Sequence, residues 1–210
     1  MGAISRHLIL VVFAALSLAA CGKGGAGGAS GDEMSLGDSK AKVTLIEYAS
    51  VACPICAAFN NNVFPEFKKK YVDTGKVHYI AREALTGNPT LAASGFLLAR
   101  CAGKEKYFQV TEAVYRAQDD IYEPGTENVR PDAGHDILLR IAQSAGMTED
   151  QFTKCLTDEK QITALNDRVE KFAKQDGVDA TPTFMLNGKK WKQGLVTMAD
   201  LDAALQPLTK

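Results

Sequence analysis

The stretch Lys42-Val43-Thr44-Leu45-Ile46-Glu47-Tyr48-Ala49-Ser50-Val51-Ala52-Cys53-Pro54-Ile55-Cys56 decides the architecture. Lys42 to Tyr48 is a β-rich run in which, after Lys42, only Thr44 and Glu47 interrupt the apolar residues. That pattern predicts a central strand buried on both faces. Cys53-Pro54 then opens a helical stretch to about Val72, with apolar residues at Phe59, Val63, Phe67 and Tyr71. Pro65 lies inside it and is expected to kink or interrupt the helix. After the Thr74-Gly75 turn, Val77 to Ala81 predicts a second strand. Strand, helix and strand make a βαβ unit with both thiols at the first strand-to-helix junction.

Residues 88–176 carry helical patterns at Pro89 to Ala102, Lys104 to Gln118, Pro131 to Ala145, Thr148 to Leu156 and Thr157 to Asp176. Asn88-Pro89 reads as a cap with proline in the first turn, and Gly103 and Gly146 stand where helices end. Thr148-Glu149-Asp150-Gln151 fits a capping box, and Asp119 to Pro131 reads as loop. Strand character returns at Thr183 to Leu186 and Lys190 to Gln193, joined by the favoured turn Asn187-Gly188. A last amphipathic helix runs from about Met198 to Leu208. The expected fold is α/β: a βαβ half, a helical insertion over about 88–176, and a ββα half. Neither sheet piece closes a core alone, so residues 39–210 are expected to form one domain.

Composition sets broad limits. The 210 residues are 46% hydrophobic, enough for one well-packed core. With 24 basic against 25 acidic residues there is no long-range field to gather phosphates, so nucleic acid is not an expected partner. The N-terminus is more informative. Arg6 and His7 precede an apolar run from Leu8 to Leu18, too short for the roughly 18 or more residues that span a bilayer. Leu18-Ala19-Ala20-Cys21 resembles a bacterial lipobox, in which cleavage precedes a Cys that carries a diacylglyceryl group. Residues 1–20 are then a lipoprotein signal peptide and Cys21 is the lipidated residue; an ordinary cleaved secretory signal is the alternative. The Gly-, Ala- and Ser-rich segment from Gly22 to Gly31 reads as a tether, and residues 21–38 are assigned to the anchor and tether together. Gly after the Cys points weakly to the outer membrane.

Four cysteines remain: Cys53, Cys56, Cys101 and Cys155. At the start of a helix, Cys53 and Cys56 would bring their sulfurs to one end, close enough to bridge. Unpaired N–H groups and the positive end of the helix dipole favour a thiolate at Cys53, the species that attacks disulfides. Cys56, one turn deeper, suits a resolving role. Rival readings are a structural bridge, two core cysteines, or a metal-carrying lipoprotein with the pair as soft ligands. A bridge across so short a loop constrains little chain. Zinc would need two further ligands, and no second C-x-x-C exists, so no metal and no cofactor is expected. Cys101 and Cys155 fall near helix ends in the insertion, either bridged or as separate buried thiols. A bridge between them would close a long loop, contributing about 4 kcal/mol in the chain-entropy model. His135 reads as a surface residue at a helix start and Trp191 as hairpin packing.

Val43 to Cys56, together with Ala180-Thr181-Pro182-Thr183-Phe184, resembles the DsbA family of thioredoxin-like disulfide oxidoreductases, over essentially the whole span from Lys42 to Leu208. The resemblance implies that the oxidised pair passes to exported, reduced or unfolded proteins through a mixed disulfide on Cys53. A membrane partner, DsbB-like or electron-donating, then resets the pair. It further implies a monomer on the periplasmic side of the bacterial cell envelope. By position, Thr181-Pro182 matches the family's X–cis-Pro, which would leave the Thr181 backbone free to pair with an extended substrate. Glu47 matches a buried acid that takes or relays the proton of Cys56; a strand Glu facing water is the alternative. Two departures concern redox strength. Ile55 replaces the His of the best-known member and cannot donate a side-chain hydrogen bond to the thiolate. Thr181 stands where that member has Val and is typical of related isomerases. A reductase or isomerase of the same fold is therefore a second reading.

Overall fold

In a computed structural model that describes residues 33–126 and 128–210, β2 (Val43–Ala49) lies at the centre of a five-stranded sheet. It runs parallel to β3 (Val77–Glu83) and antiparallel to β4 (Thr183–Leu186). Beyond β4 lies β5 (Lys189–Gln193), and beyond β3 lies β1 (Met34–Leu36), giving the order β1-β3-β2-β4-β5. The two-residue side-chain period of β2 sends Leu45 to one face and Ile46 and Tyr48 to the other. Leu45 joins a cluster with Phe59, Phe64, Phe67, Phe184 and Leu201. Ile46 and Tyr48 pack with Ile80, Met185 and Phe172. The run is apolar at every position but Thr44 and Glu47 because both faces are covered.

The helix after Cys53 divides as its proline dictates. α1 (Pro54–Asn62) stops before Pro65, which has no N–H for the carbonyl four residues back. α2 (Phe64–Phe67) restarts with Pro65 in its first turn, and a π-helical turn follows at Lys68–Val72. The insertion comprises α3 (Pro89–Cys101), α4 (Tyr107–Arg116), α5 (Gln118–Ile121), α6 (Pro131–Ser144), α7 (Glu149–Thr157) and α8 (Glu159–Asp176). Its core, including Phe96, Leu98, Tyr107, Val114, Leu138 and Phe152, is continuous with Val51, Ala52, Cys53 and Cys56. Asn88 caps α3 and the Thr148–Gln151 capping box forms. Asn187 and Gly188, both at positive φ, turn the β4–β5 hairpin, and α9 (Met198–Leu205) closes the chain.

Three details differ from the sequence reading. Residues 34–36, assigned to the tether, form β1, which pairs antiparallel with β3. The chain enters that strand through buried Glu33, whose carboxylate accepts from Arg82 Nη2 at 2.7 Å. At three residues this strand is too short to read alone, and it exists through its neighbours. The single helix expected over Lys104 to Gln118 is a 3₁₀ turn (Lys104–Lys106) and α4, and α5 occupies the start of the expected Asp119–Pro131 loop. The signal peptide, Cys21 and residues 22–32 lie outside the described residues.

Candidate functional site

The loop from Ser50 to Cys53 is held on all sides. Ser50 Oγ donates to Thr86 O and accepts from Ala52 N–H. From the insertion, Gln118 Nε2 donates to Val51 O at 2.7 Å and to Cys53 O at 3.3 Å, and Tyr122 Oη donates to Ala52 O at 2.6 Å. Two glycines permit this closeness. A Cβ on Gly95 would stand 2.7 Å from Val51 Cγ2, and one on Gly87, at φ +73, would stand 2.6 Å from Ala52 O. The helical insertion therefore clamps the backbone that carries the thiols.

Cys53 is the N-cap of α1, extended at φ −96 and ψ 121, with Pro54 next. Its thiol is lowered to about pKa 6, first by a hydrogen bond from the Cys56 thiol, then by Thr181 and the backbone N–H groups of Cys56 and Ile55, against some desolvation. Cys53 is 8% exposed, whereas Cys56 is fully buried. Desolvation, the neighbouring Cys53 and the Glu47 charge raise Cys56 well above an ordinary thiol. Both are free, buried thiols; the outer, Cys53, keeps a narrow edge of solvent exposure and favours the thiolate, while Cys56 beneath it has none and favours the protonated form.

Glu47 lies on the α1 side of β2, fully buried. Tyr79 Oη donates to one of its oxygens at 2.5 Å and Asn60 Nδ2 to the other at 3.2 Å. Burial outweighs these bonds and raises the carboxyl to about 7. Asn60 also donates to Cys56 O at 3.0 Å, linking the acid to the inner cysteine's backbone. No pattern in the sequence marks Tyr79 as a partner of Glu47. Asn60 carried a signal, since it sits four residues after Cys56 on the same helix face.

The Thr181–Pro182 peptide is cis, and Thr181 O accepts from Cys53 Sγ at 3.6 Å. The hydroxyls of Thr86 and Thr181 are 2.5 Å apart. Gly194 N–H donates to Pro182 O at 2.8 Å, so the end of β5 supports the cis-proline loop. Ile55 is 46% exposed beside the thiols. Cys53, Cys56, Glu47, Thr181 and Pro182 thus converge at the C-terminal end of β2. Cys101 and Cys155 stand apart, joined by a disulfide between the end of α3 and α7 with Cα atoms 6.2 Å apart. His135 is exposed near the start of α6, and the Trp191 ring packs edge-on against Phe184. Among the described residues no three His, Cys, Asp or Glu side chains cluster to hold a metal ion.

Comparison with known proteins agrees with this geometry. A family model described as Thioredoxin matches residues 29–207. A Rickettsia bellii protein named "Putative protein-disulfide oxidoreductase" is 32% identical over 157 residues, covering 75% of this chain and 58% of the relative. The chain thus spans little more than half the length of that relative. The Bacillus subtilis "Disulfide bond formation protein D" is 25% identical over 177 residues, 83% of this chain and 75% of its own. The crystal structure of Wolbachia pipientis alpha-DsbA1 superposes with a TM-score of 0.73 at 28% identity, covering 86% of this chain and 92% of the other. The chain belongs to the thioredoxin family, among its DsbA-like members.

Proposed function

We propose that this protein is a thiol–disulfide oxidoreductase of the bacterial cell envelope, held to a membrane through acylated Cys21 and acting on exported proteins. The observation that carries the reading is the asymmetry of the thiol pair: Cys53 at the N-cap of α1 beside the cis Thr181–Pro182 peptide, and Cys56 one turn deeper with no exposed surface. In the oxidising direction, a substrate thiolate attacks Cys53 Sγ of the Cys53–Cys56 disulfide. A substrate–Cys53 disulfide forms, and Cys56 leaves as a thiolate and takes up a proton. A second substrate thiolate then attacks the substrate sulfur of the mixed disulfide. The substrate leaves with its new disulfide, two electrons stay on the Cys53–Cys56 pair, and Cys53 departs as a stabilised thiolate. Glu47, balanced near neutral pH, supplies the proton to Cys56 and recovers it on reoxidation. Thr181 presents its backbone beside Cys53 for a short strand of substrate. A membrane-embedded partner removes the electrons.

The test is a Cys56→Ser variant, run in the reverse direction: Cys53 can still attack a substrate disulfide, but no Cys56 thiol remains to displace the substrate from the mixed disulfide. It should accumulate reducible adducts between Cys53 and exported proteins; adducts through Cys101 or Cys155, or none at all, would overturn the reading. A second reading, a reductase or isomerase, draws on Ile55 and Thr181, which change the hydrogen bonding available to the thiolate. Equilibration with glutathione separates the two. A potential less negative than about −200 mV supports disulfide donation, and one below about −250 mV supports reduction.

A further inference from the structure

Charge is not shared evenly between the two ends of the sheet. At the end remote from Cys53, Lys42 and Lys76 immediately precede Val43 and Val77, register partners at the starts of β2 and β3. Across β2, the Asn187-Gly188 turn lies level with Thr44: Asn187 N–H donates to Thr44 O at 2.9 Å, and Thr44 N–H to Asn187 Oδ1 at 2.8 Å. Lys189 and Lys190 follow that turn, and Lys40 leads into Lys42. All five lysines are exposed. None forms an ion pair with another described residue, unlike Lys68, Lys70 and Lys192. Of the acids nearby, Asp73 is neutralised by Lys68, and Asp38 accepts the Lys40 backbone N–H. Strand spacing spreads this row over four neighbouring strands, about 15 Å.

The catalytic end has the opposite sign. Asp119, Asp120 and Glu123 are exposed on the segment that clamps the Cys53 loop, and Asp179 is exposed two residues before Thr181. None of these four carboxylates forms an ion pair among the described residues; one cation, the Arg130 guanidinium, stands beside them and donates to the Asp120 backbone carbonyl. The net charge of −1 therefore conceals a charge separation along the strands.

We propose that the lysine-bearing end is a docking face for anionic phospholipid headgroups, and that docking there turns Cys53 away from the bilayer toward the aqueous space. An anionic surface attracts the row of lysines and repels the acidic catalytic end, so both ends favour one orientation. The inference rests on the lipid-anchor reading for its local concentration. Cys21 precedes Glu33 by 12 residues, at most about 43 Å of chain, enough to pass from Glu33, beside Arg82 at the catalytic end, to the lysine end. That holds the domain at the surface, where a weak charge attraction is enough to orient it.

The test uses the full lipidated chain on phosphatidylcholine vesicles and on vesicles that also contain phosphatidylglycerol. Each lysine's reactivity toward a soluble acetylating reagent is read by peptide mass spectrometry, and Cys53 reactivity by a soluble maleimide. With phosphatidylglycerol present, Lys42, Lys76 and Lys189 should lose about threefold in reactivity while Cys53 keeps its rate, and salt should restore the lysines. The combined Lys42→Gln, Lys76→Gln and Lys189→Gln variant should lose the remaining protection at Lys40 and Lys190. Equal lysine reactivity on both vesicles overturns the proposal, as does slowed Cys53 with reactive lysines. Failure of the anchor reads differently: no acyl mass and no flotation with phosphatidylcholine vesicles. In that case flotation of the wild-type chain with phosphatidylglycerol vesicles at low salt, lost in the triple variant, still supports the docking face, and its absence overturns it.

Discussion

The two cysteine pairs use the same element in opposite ways. Cys53 and Cys56 are separated by one helical turn at the open end of a sheet, on a loop held by Gln118, Tyr122 and Thr86. Cys101 and Cys155 are 54 residues apart and tie α3 to α7 inside the insertion. A link across one turn removes almost no freedom from the unfolded chain, so its energy is available for chemistry. A link across 54 residues removes a great deal and serves the fold. Spacing along the chain, read with helix geometry, separates the two tasks.

The sharpest break in this comparison is Cys53→Ser. Turnover of a reduced substrate should fall to the uncatalysed level, because no other sulfur is in place to carry the mixed disulfide. Stability should change by less than about 1 kcal/mol, since Ser is itself a favoured N-cap. An insulin-reduction or reduced-RNase refolding assay, run beside denaturant unfolding, checks both halves. The reverse pattern is expected for Cys101→Ala with Cys155→Ala. That pair should lose up to about 4 kcal/mol by the loop-closure model while folded protein keeps its turnover. If turnover falls in step with Cys53→Ser, the insertion's disulfide belongs to the redox cycle and the division of tasks is wrong.

Glu47 sharpens the comparison on the catalytic side. Its carboxyl is raised from 4.5 to about 7, so between those values the folded state binds a proton that the unfolded state has released. Its stabilising contribution is complete below the unfolded value and is lost as pH rises through the folded one. Glu47→Gln removes that loss. The gross gain is on the order of 3 kcal/mol at pH 8, less about 1 kcal/mol for the Asn60 bond that an amide cannot accept in the same geometry. Thermal unfolding should therefore show a net gain of about 2 kcal/mol at pH 8 and a net loss of about 1 kcal/mol at pH 4. Resolution by Cys56 should slow, which a purely structural acid would not produce.

Much of this arrangement was legible in the sequence because a local pattern reported it. The Val43–Ala49 strand, the break before Pro65, the Asn187-Gly188 turn and the Thr148 capping box each carry their own signature. Glu47 was legible only by resemblance, since its burial depends on α1 covering one face of β2. What stayed hidden is tertiary. β1 has two apolar side chains and is held by β3 and the Glu33–Arg82 pair. Gln118 and Tyr122 read as ordinary residues near a helix end, yet their hydrogen bonds set the Cys53 loop. Gly87 and Gly95 carry no sign in the chain of the backbone and side chain that approach them. The pairing of Tyr79 and Asn60 on the Glu47 carboxylate likewise appears only when the sheet and α1 are assembled.

The smallest expected effect concerns the exposed position between the two thiols. Ile55 offers only its backbone N–H to the Cys53 thiolate. Ile55→His adds an imidazole that donates a hydrogen bond to the same sulfur, or carries positive charge beside it, and so stabilises only the reduced form. A fall of about one pH unit in the Cys53 pKa corresponds to about 1.4 kcal/mol. For a two-electron couple that energy raises the potential by about 30 mV, with the oxidised form unaffected. The sign fixes the conditions. Stabilisation of a thiolate is complete at pH values above the free-thiol range and fades as pH falls through the folded value of about 6. The potential difference between wild type and variant should therefore be full near pH 9 and shrink toward nothing by about pH 4. Alkylation of Cys53 against pH and glutathione equilibration across the same range measure the two quantities independently. A pKa that falls while the potential stays fixed would show that thiolate stability does not set the redox poise here. Thr181, whose hydrogen bond to the same sulfur ranks next after that of Cys56, would then be the residue to vary.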